Sequence, residues 1–293
     1  MKKFEDSFSG TVSKVSIGKN NLSAGGEGCL PFYDVSGRKY EFLTAYEILD
    51  KIPENLPEYP ADLLKGVGSP AEWALKCRDS FGAEAICLNL LSMKPDEGGT
   101  DTTSSLRCIS EVLSLSNLPL ILRGTGIAEI DNGILASAAR EFKGENLVIA
   151  SVTLENYREI AGAVLENGHS IVAESPVDIN IAKQLNILLR EMGFGDDRII
   201  SDPTTGALGY GLEYSCSIME RARLAGLSGD KALSCPFINF IGSESWRSRE
   251  AESSGAIWEA ATAQAFVLAG CSIAVMRSPE AVRLLNKSLA SFR

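Results

Sequence analysis

The chain has 293 residues, 45% hydrophobic and 23% charged, with a formal net charge of −10. That length suits one large globular domain or two ordinary ones. An acidic chain without a Lys/Arg cluster lacks the electrostatic footprint of a nucleic-acid binder. No apolar run of roughly 18 residues is present, so no membrane span is expected.

In chain order, MKKFEDSFSG carries two lysines but no apolar stretch, so it does not read as a secretory leader. Residues 1–20 read as a small strand or hairpin ahead of the main domain. NLSAG (21–25), weaker because it is polar, reads as that domain's first strand. Residues 37–68, with Pro53, Pro57 and Pro60, read as a long irregular connection. SPAEWALKCRDSFG (69–82) places Ser69 and Pro70 where a helix cap and first helical residue belong. Short apolar runs then alternate with amphipathic stretches. The runs are EAICLNL (84–90), LPLILRG (118–124), NLVIASV (146–152), HSIVAE (169–174), RIISD (198–202), PFINFI (236–241) and CSIAVM (271–276). Between them, Leu106, Ile109, Leu113 and Ser116 fall at helical spacing, as do Ile179, Leu185, Leu188 and Leu189, with Gly193 as a helix stop. Near-continuous apolar strands suit a parallel sheet buried on both faces. Eight strands, each followed by a helix at spacings of roughly 25–35 residues, predict an α/β fold, a (β/α)8 TIM barrel over 21–293 with a short N-terminal extension over 1–20. A doubly wound open sheet is the alternative.

Sites in such barrels lie at the C-terminal strand ends. Several of these ends carry small polar residues and glycine, as phosphate or flat-ligand sites do, and GTG at 124–126 and GALGYG at 206–211, within SDPTTGALGYGLEYS (201–215), are the candidates. Neither matches a phosphate-binding motif, and tight strand-to-helix turns also need glycine. Acids at strand ends are Glu155, Asp178, Asp202 and Glu244. Asp178 and Glu155 read as caps or first-turn residues, whereas Asp202, stiffened by Pro203, falls within the mouth. Asn89, Asn156 and Asn239 offer donors and acceptors without charge. No lysine lies in a strand interior, which argues against Schiff-base chemistry. A sugar-phosphate enzyme would need an anion site after the last two strands. Ser243, Ser245 and Arg277 are there, without a glycine pair.

The one histidine, His169, opens a strand at the stability end of the fold and reads as structural. Histidine triads and multi-histidine zinc sites are disfavoured accordingly. The seven cysteines form no C-x-x-C pair. They read as free, mostly buried thiols in a reducing cytoplasm, with neither iron–sulfur cluster nor structural zinc.

SPVDINIAKQLNILLREM (175–192) and the stretch DPTTGALGYGLEYSCSIMERARLAGLSGDKALSCPFINFIGSESWRSREA (202–251) resemble the small, or delta, subunit of the corrinoid iron–sulfur protein of the acetyl-CoA synthase/decarbonylase system. ENYREI, EWALKC, AIWEAATA and MRSPEAV extend the resemblance over most of the chain from about residue 20. It implies a TIM barrel whose mouth faces a cobalamin held by a large corrinoid/iron–sulfur subunit. Methyl groups would then pass from a methyl-pterin methyltransferase to acetyl-CoA synthase. Thr204, Thr205, Gly206, Gly209 and Tyr210 would approach the corrinoid, and Asn89, Asn156, Asn239 and Ser243 would rim the mouth. The barrel is also similar to pterin-binding methyltransferases and dihydropteroate synthases, where an Asp and an Asn hold the pterin. The alternative is therefore a stand-alone pterin-dependent corrinoid methyltransferase, with Asp202 and Asn89 as pterin ligands. The sequence departs from the family in LPFYDVSGRK and in a shorter stretch, WRSREAESSGAIWEA, both flanking the mouth.

Overall fold

The computed structural model describes residues 8–31, 42–52 and 61–290. A short antiparallel hairpin comes first, β1 (Val15–Ile17) against β2 (Leu22–Ala24). Eight parallel strands follow: β3 (Leu43–Leu49), β4 (Ala85–Asn89), β5 (Leu120–Arg123), β6 (Val148–Val152), β7 (Ser170–Glu174), β8 (Ile199–Asp202), β9 (Phe237–Asn239) and β10 (Cys271–Met276). They pair in chain order, and β10 closes the ring on β3. The helices are α1 (Ala61–Leu64), α2 (Pro70–Phe81), α3 (Thr102–Ser116), α4 (Ala128–Glu141), α5 (Tyr157–Glu166), α6 (Ile179–Glu191), α7 (Leu212–Leu227), α8 (Ile241–Trp246), α9 (Ala251–Ala269) and α10 (Pro279–Leu289). The architecture is the expected (β/α)8 TIM barrel with an N-terminal hairpin.

The first barrel strand differs from expectation. NLSAG supplies the second hairpin strand, with Ala24 opposite Val15. The barrel starts instead at LTAYEIL, inside the stretch read as irregular, and all seven residues of β3 are buried. Glu47 interrupts the apolar run there, and the prolines that follow it suggested a loop. The LPFYDVSGRK departure lies largely outside the described residues.

Strand alternation sorts the core into layers. Ala45, Cys87, Ile121, Val148, Val172, Ile200, Ile238 and Ile273 point into the barrel. Ile86, Leu88, Leu122, Ile149, Ile171 and Ile199 point outward and meet the helices. The hairpin plugs the N-terminal end, where Val15 and Ile17 join the interior cluster. It is tied down by Gly10 N–H to Leu227 O at 2.7 Å and by Asn146 Nδ2–H to Ser16 O at 3.0 Å. His169, fully buried at this end, accepts from Leu147 N–H through Nδ1 at 3.0 Å, and its Nε2 lies 2.9 Å from Ala139 O. That arrangement suits a neutral ring, and burial holds its pKa below the ordinary value. Helix starts follow local chemistry. Ser69 Oγ accepts from Glu72 N–H with Pro70 next, and Asp178 accepts from Asn180 and Ile181 N–H.

Candidate functional site

The same alternation that fills the barrel with Ala45, Cys87 and Ile121 carries the next inward position of each strand to the C-terminal mouth. Those positions are Glu47 on β3, Asn89 on β4, Arg123 on β5, Glu174 on β7 and Asp202 on β8, with Phe240 and Arg277 directly after β9 and β10. An apolar barrel thus ends in one polar layer. Arg277 Nε–H donates to Glu47 Oε2 at 2.7 Å, and Asn89 Nδ2–H donates to Glu47 Oε1 at 3.2 Å. Arg123 lies 3.9 Å from Glu47, donates to Ser243 Oγ at 3.0 Å, and sits 4.0 Å from the centre of the Phe240 ring. Guanidinium stacking of this kind fixes the cation without removing its donors. Behind Arg277, the Glu259 carboxylate of α9 accepts from Arg277 N–H, Ser278 N–H and Trp246 Nε1–H at 2.5, 3.0 and 2.8 Å.

Burial pushes Glu47 upward, but Arg277 and Arg123, with hydrogen bonds from Arg277 and Asn89, outweigh it and hold the carboxyl below its ordinary value. Asp202 goes the other way. It is buried, and it stands opposite Glu174 in the strand register, so burial and then the neighbouring charge raise its pKa well above the ordinary value. Burial likewise lifts Glu259 to about 7 against its N–H donors. The layer sets two guanidinium groups, Arg123 and Arg277, among the carboxyls of Glu47, Glu174 and Asp202. Beside it opens a cavity of about 240 Å³ among Asn89, Arg123, Thr125, Thr153, Asn156 and Glu174.

The glycine loops are accounted for by contacts within the loops. Thr125 and Gly126 N–H donate to the Asp131 carboxylate at 2.7 and 2.8 Å, and a Cβ on Gly124 would stand 2.5 Å from Asp131 Cγ. Those amides are engaged by the protein's own acid. In the 206–211 loop, a Cβ on Gly206 would come within 2.7 Å of the Gly211 carbonyl carbon. Gly209 and Gly211 hold φ of 78° and 95°, a region that disfavours side chains.

The remaining candidate residues fall into two groups. Gly209 and Tyr210 are exposed, with Tyr210 Oη–H donating to Glu250 at 3.0 Å, while Thr204 and Gly206 are half-buried. Thr205, Asn156, Asn239 and Ser243 are buried. Thr205 Oγ1 accepts from Phe240 N–H at 3.0 Å and from Asn239 Nδ2–H at 3.4 Å, bridging two strand ends. Asn156 Oδ1 accepts from Thr153 N–H at 2.9 Å. Asn239 points away from the barrel axis by strand parity, so the mouth layer contains Asn89 and Asp202 but not Asn239. Glu47, Arg123 and Glu174 join the layer without being among the strand-end residues the sequence singles out, and Arg277, an anion-site residue by sequence, pairs instead with Glu47. A charged residue ending an apolar run, as in LILR and IVAE, is the signal that would have found two of them. Among the described residues no cluster of three metal-ligating side chains exists, no disulfide joins the seven cysteines, and no helix is long and apolar enough to cross a membrane.

The fold is shared with pterin-handling barrels. The chain superposes on dihydropteroate synthase from Burkholderia cenocepacia, solved with 7,8-dihydropteroate, with a TM-score of 0.58 at 13% identity, covering 96% of this chain and 97% of that one. The Yersinia pestis dihydropteroate synthase gives 0.60 at 11%, covering 95% and 98%. At such identities the likeness concerns fold alone. Sequence relatives lie elsewhere. The acetyl-CoA decarbonylase/synthase complex subunit delta of Archaeoglobus fulgidus is 32% identical over 312 residues, covering 97% of this chain and 69% of that protein. Its counterpart in Methanothermobacter thermautotrophicus is 30% identical over 299 residues, covering 96% and 76%. The family model for the CO dehydrogenase/acetyl-CoA synthase delta subunit matches residues 14–289. With nearly the whole barrel inside that match, the chain belongs to the CO dehydrogenase/acetyl-CoA synthase delta subunit family.

Proposed function

We propose that this protein is the delta subunit of a cytoplasmic acetyl-CoA decarbonylase/synthase complex. Its barrel mouth covers a corrinoid held by a larger corrinoid/iron–sulfur subunit. A methyl group passes between a methyl-pterin methyltransferase and acetyl-CoA synthase while it is covered. The observation that carries this reading is the bonded network across the mouth. Glu47, Arg277, Asn89, Arg123 and Ser243 are bonded to one another across the barrel top. A mouth layer engaged in its own ion pairs, with a cavity of about 240 Å³ to one side, suits covering a broad, flat group from outside better than enclosing it within.

The corrinoid, when bound, supplies the metal–carbon chemistry. This chain's residues exclude water and hold the cover rigid. Thr205 locks the 203–211 loop onto the β9 end, and Thr204 Oγ1–H donates to Ser175 O at 2.7 Å, joining that loop to its neighbour. Gly209 and Tyr210 stand at the exposed edge of the loop. Asp202, whose pKa burial and then Glu174 raise well above the ordinary value, stands buried beneath this loop and accepts from Thr204 N–H.

Co-expression with the corrinoid-bearing subunit tests the proposal. The two chains should elute together in gel filtration, with the corrinoid spectrum in that peak, while this chain alone is colourless. Stoichiometric corrinoid in the isolated chain, or two separate peaks, would contradict it.

A further inference from the structure

We infer that the partner docks asymmetrically, on an aromatic rim at the β7–β9 side of the mouth, and leaves the cavity beside β4–β6 open to solvent. The occupant named is the corrinoid-bearing subunit, so the inference rests on the reading above.

Four residues mark the rim. Val177 follows β7, Tyr210 follows β8, Tyr214 lies in the first turn of α7 and Ile257 lies near the start of α9; they are 39%, 53%, 63% and 63% exposed. Three of them lie close together. A Cβ on Gly209, beside Tyr210, would stand 3.7 Å from the Trp258 ring, next to Ile257 in sequence, and one on Gly211 would stand 3.7 Å from the Tyr214 ring. Grouped exposure of large apolar side chains is what a soluble protein avoids unless something covers them, and tyrosine is favoured at interface anchor points.

The rim is also held in place. Val177 and Thr204 are β-branched yet adopt φ of 47° and 64°, a costly conformation that surrounding contacts must enforce. Ser175 N–H donates to Asp202 O at 2.9 Å, Thr204 N–H to Asp202 Oδ1 at 2.9 Å, and Ser215 Oγ–H to Thr204 O at 2.6 Å. A fixed rim binds without first losing conformational freedom. Its surface charge is acidic: over 206–215 and 244–258, Glu213, Glu244, Glu250 and Glu252 outnumber Arg247 and Arg249. A partner surface with apolar pockets fringed by Lys or Arg is complementary. The patch also runs directly into the 203–211 loop that borders the proposed corrinoid. Across the mouth, Thr125, Thr153, Glu155 and Asn156 line a polar cavity, and among the described residues no large hydrophobic is exposed there.

The test measures affinity for the purified corrinoid-bearing subunit of the same complex at low and high salt. Tyr214→Ala with Ile257→Ser should weaken binding by about tenfold or more, while Tyr214→Phe stays close to the parent. Lys94→Ala with Glu155→Ala, on the cavity side, should bind as the parent does. Raising salt should weaken the parent measurably. Should the rim double variant misfold, a photo-crosslinking benzoylphenylalanine at 214 should capture the subunit and one at 155 should not. A rim variant with parental affinity, a cavity-side variant weakened as much, or crosslinking at 155 alone overturns the inference. If the parent chain does not bind the subunit at all, the functional reading falls and the named occupant with it.

Discussion

Two carboxyls a few residues from the barrel axis face opposite fates, and each makes a measurable statement. Glu47 is buried with Arg277 at 2.7 Å and Arg123 at 3.9 Å. Removing one partner of a buried pair strands the other charge, at a cost of about 3–5 kcal/mol. Glu47→Gln should lower unfolding stability by that order, read from denaturant midpoints. Asp202 is the reverse case. Its folded pKa lies above its unfolded value near 3.8, so the stability it contributes is complete below that value and is lost as pH rises through the folded pKa. Asn at 202 keeps an acceptor for Thr204 N–H and cannot ionise. Asp202→Asn should therefore melt close to the parent at pH 4 and above it at pH 8. A melting-temperature difference that does not grow with pH would show that Asp202 is ionised in the folded protein.

The elements were legible wherever apolar continuity was unbroken. AICLN, LILR and CSIAVM are buried on both faces, and their β-branched and leucine runs announce that. The stretch containing β3 was not, because Glu47 breaks the run and only its partners on β4, β5 and after β10 make its burial tolerable. NLSAG reads as a barrel strand because one short polar strand resembles another until its partner is known. The mouth layer was legible only in part for the same reason. Asn89 and Asp202 could be placed at strand ends, but side-chain parity, which brings in Arg123 and Glu174 and sends Asn239 outward, depends on register. The 206–211 loop gives the sharpest test at this scale. Its glycines are explained by the loop's own turns, so Gly206→Ala should drive a Cβ into the Gly211 carbonyl at 2.7 Å. Overpacking of this kind typically costs about 1–3 kcal/mol. The loop should loosen, with faster backbone amide exchange at 204–211 and weaker partner binding than the melting temperature alone would suggest.

Over the whole molecule, the two ends of the barrel carry separate tasks, as in other barrels of this type. The bottom is sealed by the hairpin, His169 and the Val15–Ile17 plug. The top holds the ion pairs, the cavity and the aromatic rim. The interior between them is apolar and close-packed, so a change at the base reaches the mouth only if the barrel itself distorts. Ile17, 1% exposed and packed within the interior cluster, tests that separation. Ile17→Ala removes buried methylenes and leaves a void at the plug, which should cost about 2–5 kcal/mol. Measured well below its melting transition, the same variant should bind the corrinoid-bearing subunit with parental affinity, because every rim and mouth contact is retained. Tyr214→Ala should show the converse, parental stability and weakened binding. A loss of affinity in Ile17→Ala at a temperature where it is fully folded would mean that the plug positions the mouth, and that the barrel transmits strain along its axis rather than dividing the two roles.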